Sequence, residues 1–222
     1  MRLITATRGK IQDTLLFKSV ARTQNSSKIT LCPIQDNTEG LSKVYNRPIN
    51  DETLCFCHDD VAINDYWWVS VVELGLMRYD IVGVAGNTQL NPDHASWCIT
   101  VKDPQSGGNY LVDKTLSGMI AQGAQWPAER VDYFGPCQEV KLLDGVFLAV
   151  KGKTLLETGL RFDEDFNFHF YDLAFCRRAL NLSLRLGTIP LSLTHNSLGK
   201  MDATWRADLN RYRAKYDTSE HC

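Results

Sequence analysis

The run Thr53-Leu54-Cys55-Phe56-Cys57 consists of strand formers and stops at His58-Asp59-Asp60. Two adjacent carboxylates at a strand end can hold a divalent cation. Carboxylate oxygens suit Mg²⁺ or Mn²⁺, and such a cation keeps waters and is completed by substrate phosphates, so one or two carboxylates suffice. Position alone fits a solvated turn equally well. Zinc is a weaker reading of Cys55, Cys57 and His58, because the two cysteines alternate onto one sheet face and no second ligand pair follows.

Several elements must position these groups. Arg2 to Thr7 reads as a strand opening into a polar turn at Arg8-Gly9-Lys10, followed by helical spacing at Leu15, Leu16, Ser19 and Val20. Lys28 to Pro33 is a second strand, and Leu41 to Tyr45 a short helix that Pro48 ends. Asn64 and Asp65 can cap a helix through Met77, with Trp68, Val71, Val72 and Leu76 inward. Ile81 to Ala85 is a short strand. The Gly-, Pro- and Asn-rich stretch from Gly86 to Gly135 predicts short strands and loops. Order returns at Leu142 to Val150, with helices over Lys153 to Thr158 and Asp172 to Leu186, a strand over Thr188 to Thr194 and a helix over 203–216. Strands alternating with helices predict a mainly parallel central sheet with helices on both faces, an α/β fold that binds ligands beyond the carboxyl ends of its strands.

The totals bound the function classes. At 222 residues, 44% hydrophobic and 23% charged, the chain can bury a normal core as a single domain, 1–222. Its formal net charge of -2 argues against bulk nucleic-acid binding. No apolar run is long enough to cross a bilayer, and Met1 to Thr5 begins no long apolar leader, so the expectation is a cytoplasmic chain with reduced cysteines. The basic, aromatic helix 203–216 is expected to dock on the core; peripheral contact with anionic lipid is the alternative. Gly152-Lys153-Thr154 is no phosphate loop, since Phe147 stands where its first glycine belongs.

Taken together, Gly40-Leu41-Ser42 with Asn46, the strand ending in His58-Asp59-Asp60, Leu143-Asp144-Gly145-Val146, Phe168-His169-Phe170-Tyr171-Asp172 and Thr194-His195-Asn196-Ser197-Leu198-Gly199 resemble the inverting glycosyltransferases of family 2. The compact branch typified by streptomycin-biosynthesis glycosyltransferases is the one they resemble. The order and spacing of the motifs carry the resemblance, which runs from the first strand to Tyr216 and is loose over Gly86 to Gly135. Departures are clear: His58 replaces the first acid of the DXD motif, Tyr171 replaces the glutamate of a Glu-Asp pair, and Ala6-Thr7-Arg8 replaces Pro-x-Tyr-Asn.

The resemblance implies a GT-A fold and transfer of a sugar from a nucleoside diphosphate donor to an acceptor hydroxyl, with Mn²⁺ or Mg²⁺ as cofactor. A UDP-sugar is the favoured donor, with GDP- or dTDP-sugars open, and a glycan or small molecule is the acceptor. It makes Asp60 and His195 metal ligands and Asp172 the general base. Thr7, Arg8, Asp36, Asn37, Asn46, His58 and Asp59 fall on the donor side, and Asp144, Gly145, Trp126, Phe168 and His169 on the acceptor side. Each has an ordinary structural alternative: turn chemistry for Asp36, Asn37 and Asp59, a helix-start carboxylate for Asp172, a core position for the aromatics. The rival functions are a nucleotidyltransferase making nucleotide sugars and a non-catalytic sugar- or nucleotide-binding module.

Overall fold

The computed structural model describes residues 1–23, 28–47, 49–90, 94–103, 108–111, 113–125, 127–197 and 201–216. Five strands run parallel in the larger sheet: β1 (Arg2–Ala6), β2 (Thr30–Ile34), β3 (Thr53–Cys57), β5 (Ile81–Gly83) and β14 (Leu186–Thr188), β4 (Val61–Ile63) lying outside it. The sheet is nevertheless mixed. β13 (Phe147–Lys151) is inserted antiparallel between β3 and β5, and β11 (Glu139–Val140) is antiparallel at the β14 edge. The order is β11-β14-β5-β13-β3-β1-β2. A mainly parallel expectation missed β13 because antiparallel pairing is set by a distant partner, not by local periodicity.

A second sheet has the order β12-β6-β9-β15-β4, with β6 (Ala85–Asn87), β9 (Leu116–Gln122), β12 (Leu142–Leu143) and β15 (Leu193–His195); β10 (Arg130–Gly135) pairs with β9. β7 (Ile99–Asp103) and β8 (Gly108–Leu111) form a separate hairpin. The chain repeatedly passes from one sheet to the other. Gly83 pairs in the large sheet and Ala85 in the small one, so the expected strand Ile81 to Ala85 is two strands that part at Val84. The expected strand Thr188 to Thr194 likewise divides into the end of β14 and β15, and Leu142 to Val150 divides at Asp144-Gly145-Val146.

Alternation along β3 and β13 places helices on both faces. Phe56 and its partner Leu148 point one way, where Phe56 meets Tyr45 of α2 (Leu41–Tyr45) and Phe162 at ring distances of 5.1 and 4.9 Å. Phe147 points the other way, edge-on to Trp68 of α3 (Trp68–Arg78) at 6.2 Å. α1 (Leu15–Val20) has its N-cap at Thr14, whose hydroxyl accepts the Phe17 N–H, while Asp65 accepts the Trp67 N–H just before α3. α4 (Gly152–Thr158) closes on a left-handed Gly159.

α5 spans Tyr171–Asn181 and stops five residues short of the expected end, where Ser183 turns left-handed at φ 58°. Its Phe175 stacks on Phe162 at 4.2 Å. α6 (Ala203–Tyr216) keeps its expected bounds and docks by its aromatic stripe: Trp205 and Tyr212 face Phe170, and Tyr212 and Tyr216 face Phe166. The stripe is therefore engaged with the core. A single cluster of buried residues runs through both sheets and these helices.

Candidate active site

The switches between sheets fall at one end of the molecule. β1 and β3 both end there, and so does the start of the antiparallel β13; the His58 N–H donates to Val146 O across the gap. β4 and β15 continue from that end, with His195 opposite Val61 and the Asn196 N–H donating to Asp60 O. A cleft of about 1800 Å³ opens here. Its walls include Thr7, Arg8, Asn37, His58, Asp59, Asp60, Asp144, Gly145, Phe168, His169, Asp172 and His195.

Asp60 and His195 face each other on the cleft floor. Asp60 Oδ1 lies 3.3 Å from His195 Nε2 and 3.9 Å from His58 Nδ1. The 3.3 Å approach is not aligned as a hydrogen bond, and both atoms are buried without a hydrogen-bond partner among the described residues. Buried polar atoms are normally satisfied, so an unsatisfied pair this close suits the binding of a cation. One ligand atom from each of His58, Asp60 and His195 can be chosen so that all three lie within 4.8 Å of one another, and nitrogen and carboxylate oxygen are donors that Mn²⁺ accepts. Burial would raise the Asp60 carboxyl, but the His195 imidazole overrides it and holds the group below its ordinary range. Burial would likewise lower His195, but Asp60 raises it on balance. Burial and the neighbouring His195 both lower His58.

Asp172 sits in the first turn of α5, half-buried at the cleft. Its Oδ2 accepts the Gly145 N–H at 2.9 Å and its Oδ1 the Leu173 N–H at 2.9 Å. Burial first, and the carboxylate of Asp144 second, push Asp172 up to about 7. That is the range in which a carboxylate takes and releases protons at working pH. Asp144 is itself held by the indole N–H of Trp97 at 2.6 Å and the Val146 N–H at 2.8 Å. Gly145 is required by packing: a Cβ there would lie 2.1 Å from the Tyr171 hydroxyl and 2.9 Å from Asp172 Cβ.

On the opposite rim, the Asn37 N–H donates to Thr7 O and the Gly9 N–H to Thr7 Oγ1, joining the turns after β1 and β2. Arg8 is exposed beside them. Phe168 is 51% exposed and edge-on to His169, whose Nε2 lies 3.8 Å from Asp202 at the start of α6. Burial lowers His169.

Two residues expected on the donor side lie elsewhere. Asp36 occupies a left-handed turn at φ 53° outside the cleft lining. Asn46 is bonded to both backbone groups of Phe162 and to Glu164, which ties α2 to the segment before α5. Trp126 lies outside the described residues, as do Leu198 and Gly199. The aromatic that reasoning from sequence missed is Trp97, which lines the cleft and bonds Asp144. It sits in the stretch without periodicity, and only its type, an indole that needs a partner when buried, marked it.

Among solved structures, S. aureus TarS 1–349 in complex with UDP is similar, with a TM-score of 0.51 and 10% identity over 98% of this chain and 65% of that one. The two chains share a fold. This chain thus spans about two thirds of the TarS chain, and the likeness at this identity concerns fold alone. A197 from STIV matches at a TM-score of 0.49 and 14% identity, over 91% of this chain and 87% of that one. No protein-family model matches the sequence, and no curated protein does. Among the described residues no helix is long and apolar enough to cross a membrane.

Proposed function

We propose that this chain is a glycosyltransferase that moves a sugar from a nucleoside diphosphate donor to an acceptor hydroxyl with inversion, using a divalent cation. One observation carries the reading. A buried, hydrogen-bond-free pair, Asp60 Oδ1 and His195 Nε2, shares a cleft with Asp172, a carboxylate pushed up to about 7. The first suits a cation that meets a diphosphate, the second a base that meets a hydroxyl. The fold shared with UDP-bound TarS supports a nucleotide donor and favours UDP, with GDP and dTDP as the alternatives to test.

Asp60 and His195 would hold Mn²⁺ or Mg²⁺. When bound, the cation would stabilise the charge that grows on the departing diphosphate. The protein's own groups do the rest. Thr7, Arg8 and Asn37 form the rim where the nucleotide would lie, with Asp59 beside the cluster near the donor ribose or sugar. Asp144, Gly145, Phe168 and His169 mark the acceptor side. Asp172 takes the acceptor proton as that oxygen attacks the anomeric carbon. The new carbon–oxygen bond forms as the bond to the diphosphate breaks, the electron pair leaves with the phosphate, and the proton passes from Asp172 to solvent. The Gly145 and Leu173 N–H groups keep the carboxylate aimed while it works.

The direct test measures nucleoside diphosphate released from UDP-, GDP- and dTDP-sugars, with Mn²⁺, Mg²⁺ or EDTA. Release from one donor class that EDTA abolishes and Asp172→Asn reduces about 10²–10⁴-fold is expected. Nucleotide binding without turnover in any combination, unchanged in Asp172→Asn, would instead make the chain a binding module.

A further inference from the structure

Two cleft residues depart from the motifs set out above: His58 stands where a first acid is expected, and Tyr171 where a glutamate is expected. In the structure the two departures touch. His58 Nε2 lies 2.8 Å from the Tyr171 hydroxyl, and that hydroxyl donates to Gly145 O at 2.8 Å. A phenol has one proton, and a carbonyl has none to give. The phenol proton is thus committed to Gly145, and the phenol oxygen can meet His58 only as an acceptor. Nε2 must then carry the imidazole proton, which leaves the lone pair of the neutral ring on Nδ1. Nδ1 is the atom that lies 3.9 Å from Asp60 Oδ1, on the side of the ring toward the cluster with His195.

We infer that His58 is a third protein ligand of the cation through Nδ1, and that Tyr171 is the positioning residue that fixes its tautomer and ring orientation. This rests on the cleft binding a divalent cation. A metal-bound histidine commonly gives its other N–H to a carbonyl or carboxylate, and that partner sharpens its basicity and aim. Here a phenol oxygen takes that place and passes the chain on to a main-chain carbonyl. The packing is specific for the purpose: only glycine at 145 lets the buried phenol reach, since a Cβ would lie 2.1 Å from its oxygen. The same residue gives its N–H to Asp172, so Gly145 links the side chain that aims the ligand to the proposed base.

The test is Mn²⁺ affinity of the full chain without nucleotide, read from the electron paramagnetic resonance signal of free Mn²⁺, for wild type, Tyr171→Phe, His58→Ala, the double variant and Asp60→Ala. Tyr171→Phe should weaken Mn²⁺ about 10–100-fold. The double variant should bind no more weakly than His58→Ala, because Tyr171 acts through His58. An unchanged affinity in Tyr171→Phe, or losses that add in the double variant, would overturn the inference. A second pair is independent of Tyr171 folding correctly: His58→Asn keeps an acceptor near the Nδ1 position and should retain more affinity than His58→Gln, which keeps one near Nε2. The reverse order would overturn it. Failure of the underlying reading looks different: wild type would show no saturable Mn²⁺ binding, or Asp60→Ala would bind as wild type does, and both proposals would fall.

Discussion

Asp172 offers the sharpest quantitative prediction. Its carboxyl is pushed up to about 7, by burial first and by Asp144 second. A base works only when unprotonated, so kcat/KM for sugar transfer should fall about tenfold for each pH unit below 7, with its acidic limb centred near 7. The assay is product formation under subsaturating donor between about pH 5.5 and 8.5, at saturating cation. Asp144→Asn removes the like charge and should move that limb to lower pH by about one unit. The same group makes a linked prediction for stability. Its folded value lies above the ordinary carboxylate value, so the folded chain holds this proton more tightly than the unfolded one. The stability it confers is complete below about pH 4 and is lost as pH rises through 7. A three-unit displacement corresponds to ~4 kcal/mol, and water in the open cleft should cut this to ~1–2 kcal/mol. An acidic limb near 4, as for an ordinary carboxylate, would refute the reasoning, and so would a limb near 7 that persists in Asp172→Asn.

Other outcomes follow from packing. Gly145→Ala should cost ~1–3 kcal/mol, lowering the thermal midpoint by several degrees, because its Cβ would strike the Tyr171 hydroxyl and Asp172; an unchanged melt would mean the cleft is looser than described. Asp163 receives Lys215 Nζ at 2.7 Å and the Tyr216 hydroxyl, which pins the end of α6. Asp163→Ala should therefore cost ~1–3 kcal/mol and speed proteolysis within α6; cleavage at the wild-type rate would argue that the aromatic stripe alone holds the helix. Trp97→Phe removes the hydrogen bond to Asp144 but keeps most of the ring. It should raise the acceptor KM more than it lowers kcat, and an effect on the donor KM alone would move Trp97 away from the acceptor side.

Local signals were legible, and long-range ones were not. The strand Thr53–Cys57 and the helices Leu41–Tyr45 and Ala203–Tyr216 keep the bounds read from their residues, the first two because turn residues flank a short apolar run and the last because its aromatic residues recur at helical spacing. The passage between sheets at Val84 leaves no trace, because an apolar run reads the same whether its two halves pair with one sheet or two. β4 lacked any individual signal for a related reason, since its partner β15 is distant in sequence, whereas β9 and β10 pair with each other across a short connection inside the Gly-, Pro- and Asn-rich stretch, where no alternation marks a strand. At the site, residues whose type implies chemistry were identifiable, and most of them line one cleft. What could not be read was who touches whom. The bonds His58–Tyr171 and Trp97–Asp144 join residues 113 and 47 positions apart. Asn46 shows the converse, a motif residue whose amide is consumed by the backbone of Phe162.

The central claim, a cation-dependent diphosphate site on the floor of the cleft, is tested most directly by the thermal midpoint with UDP and Mn²⁺ against UDP with EDTA, GDP and dTDP replacing UDP in parallel. A ligand at about one hundred times its Kd adds ~2.7 kcal/mol to the folded state, which for a chain of this size is a rise of ~5–10 °C. Such a rise is expected for one nucleotide, only with the cation, and is lost in Asp60→Ala. No rise with any pair, or a rise that survives both EDTA and Asp60→Ala, would contradict the claim.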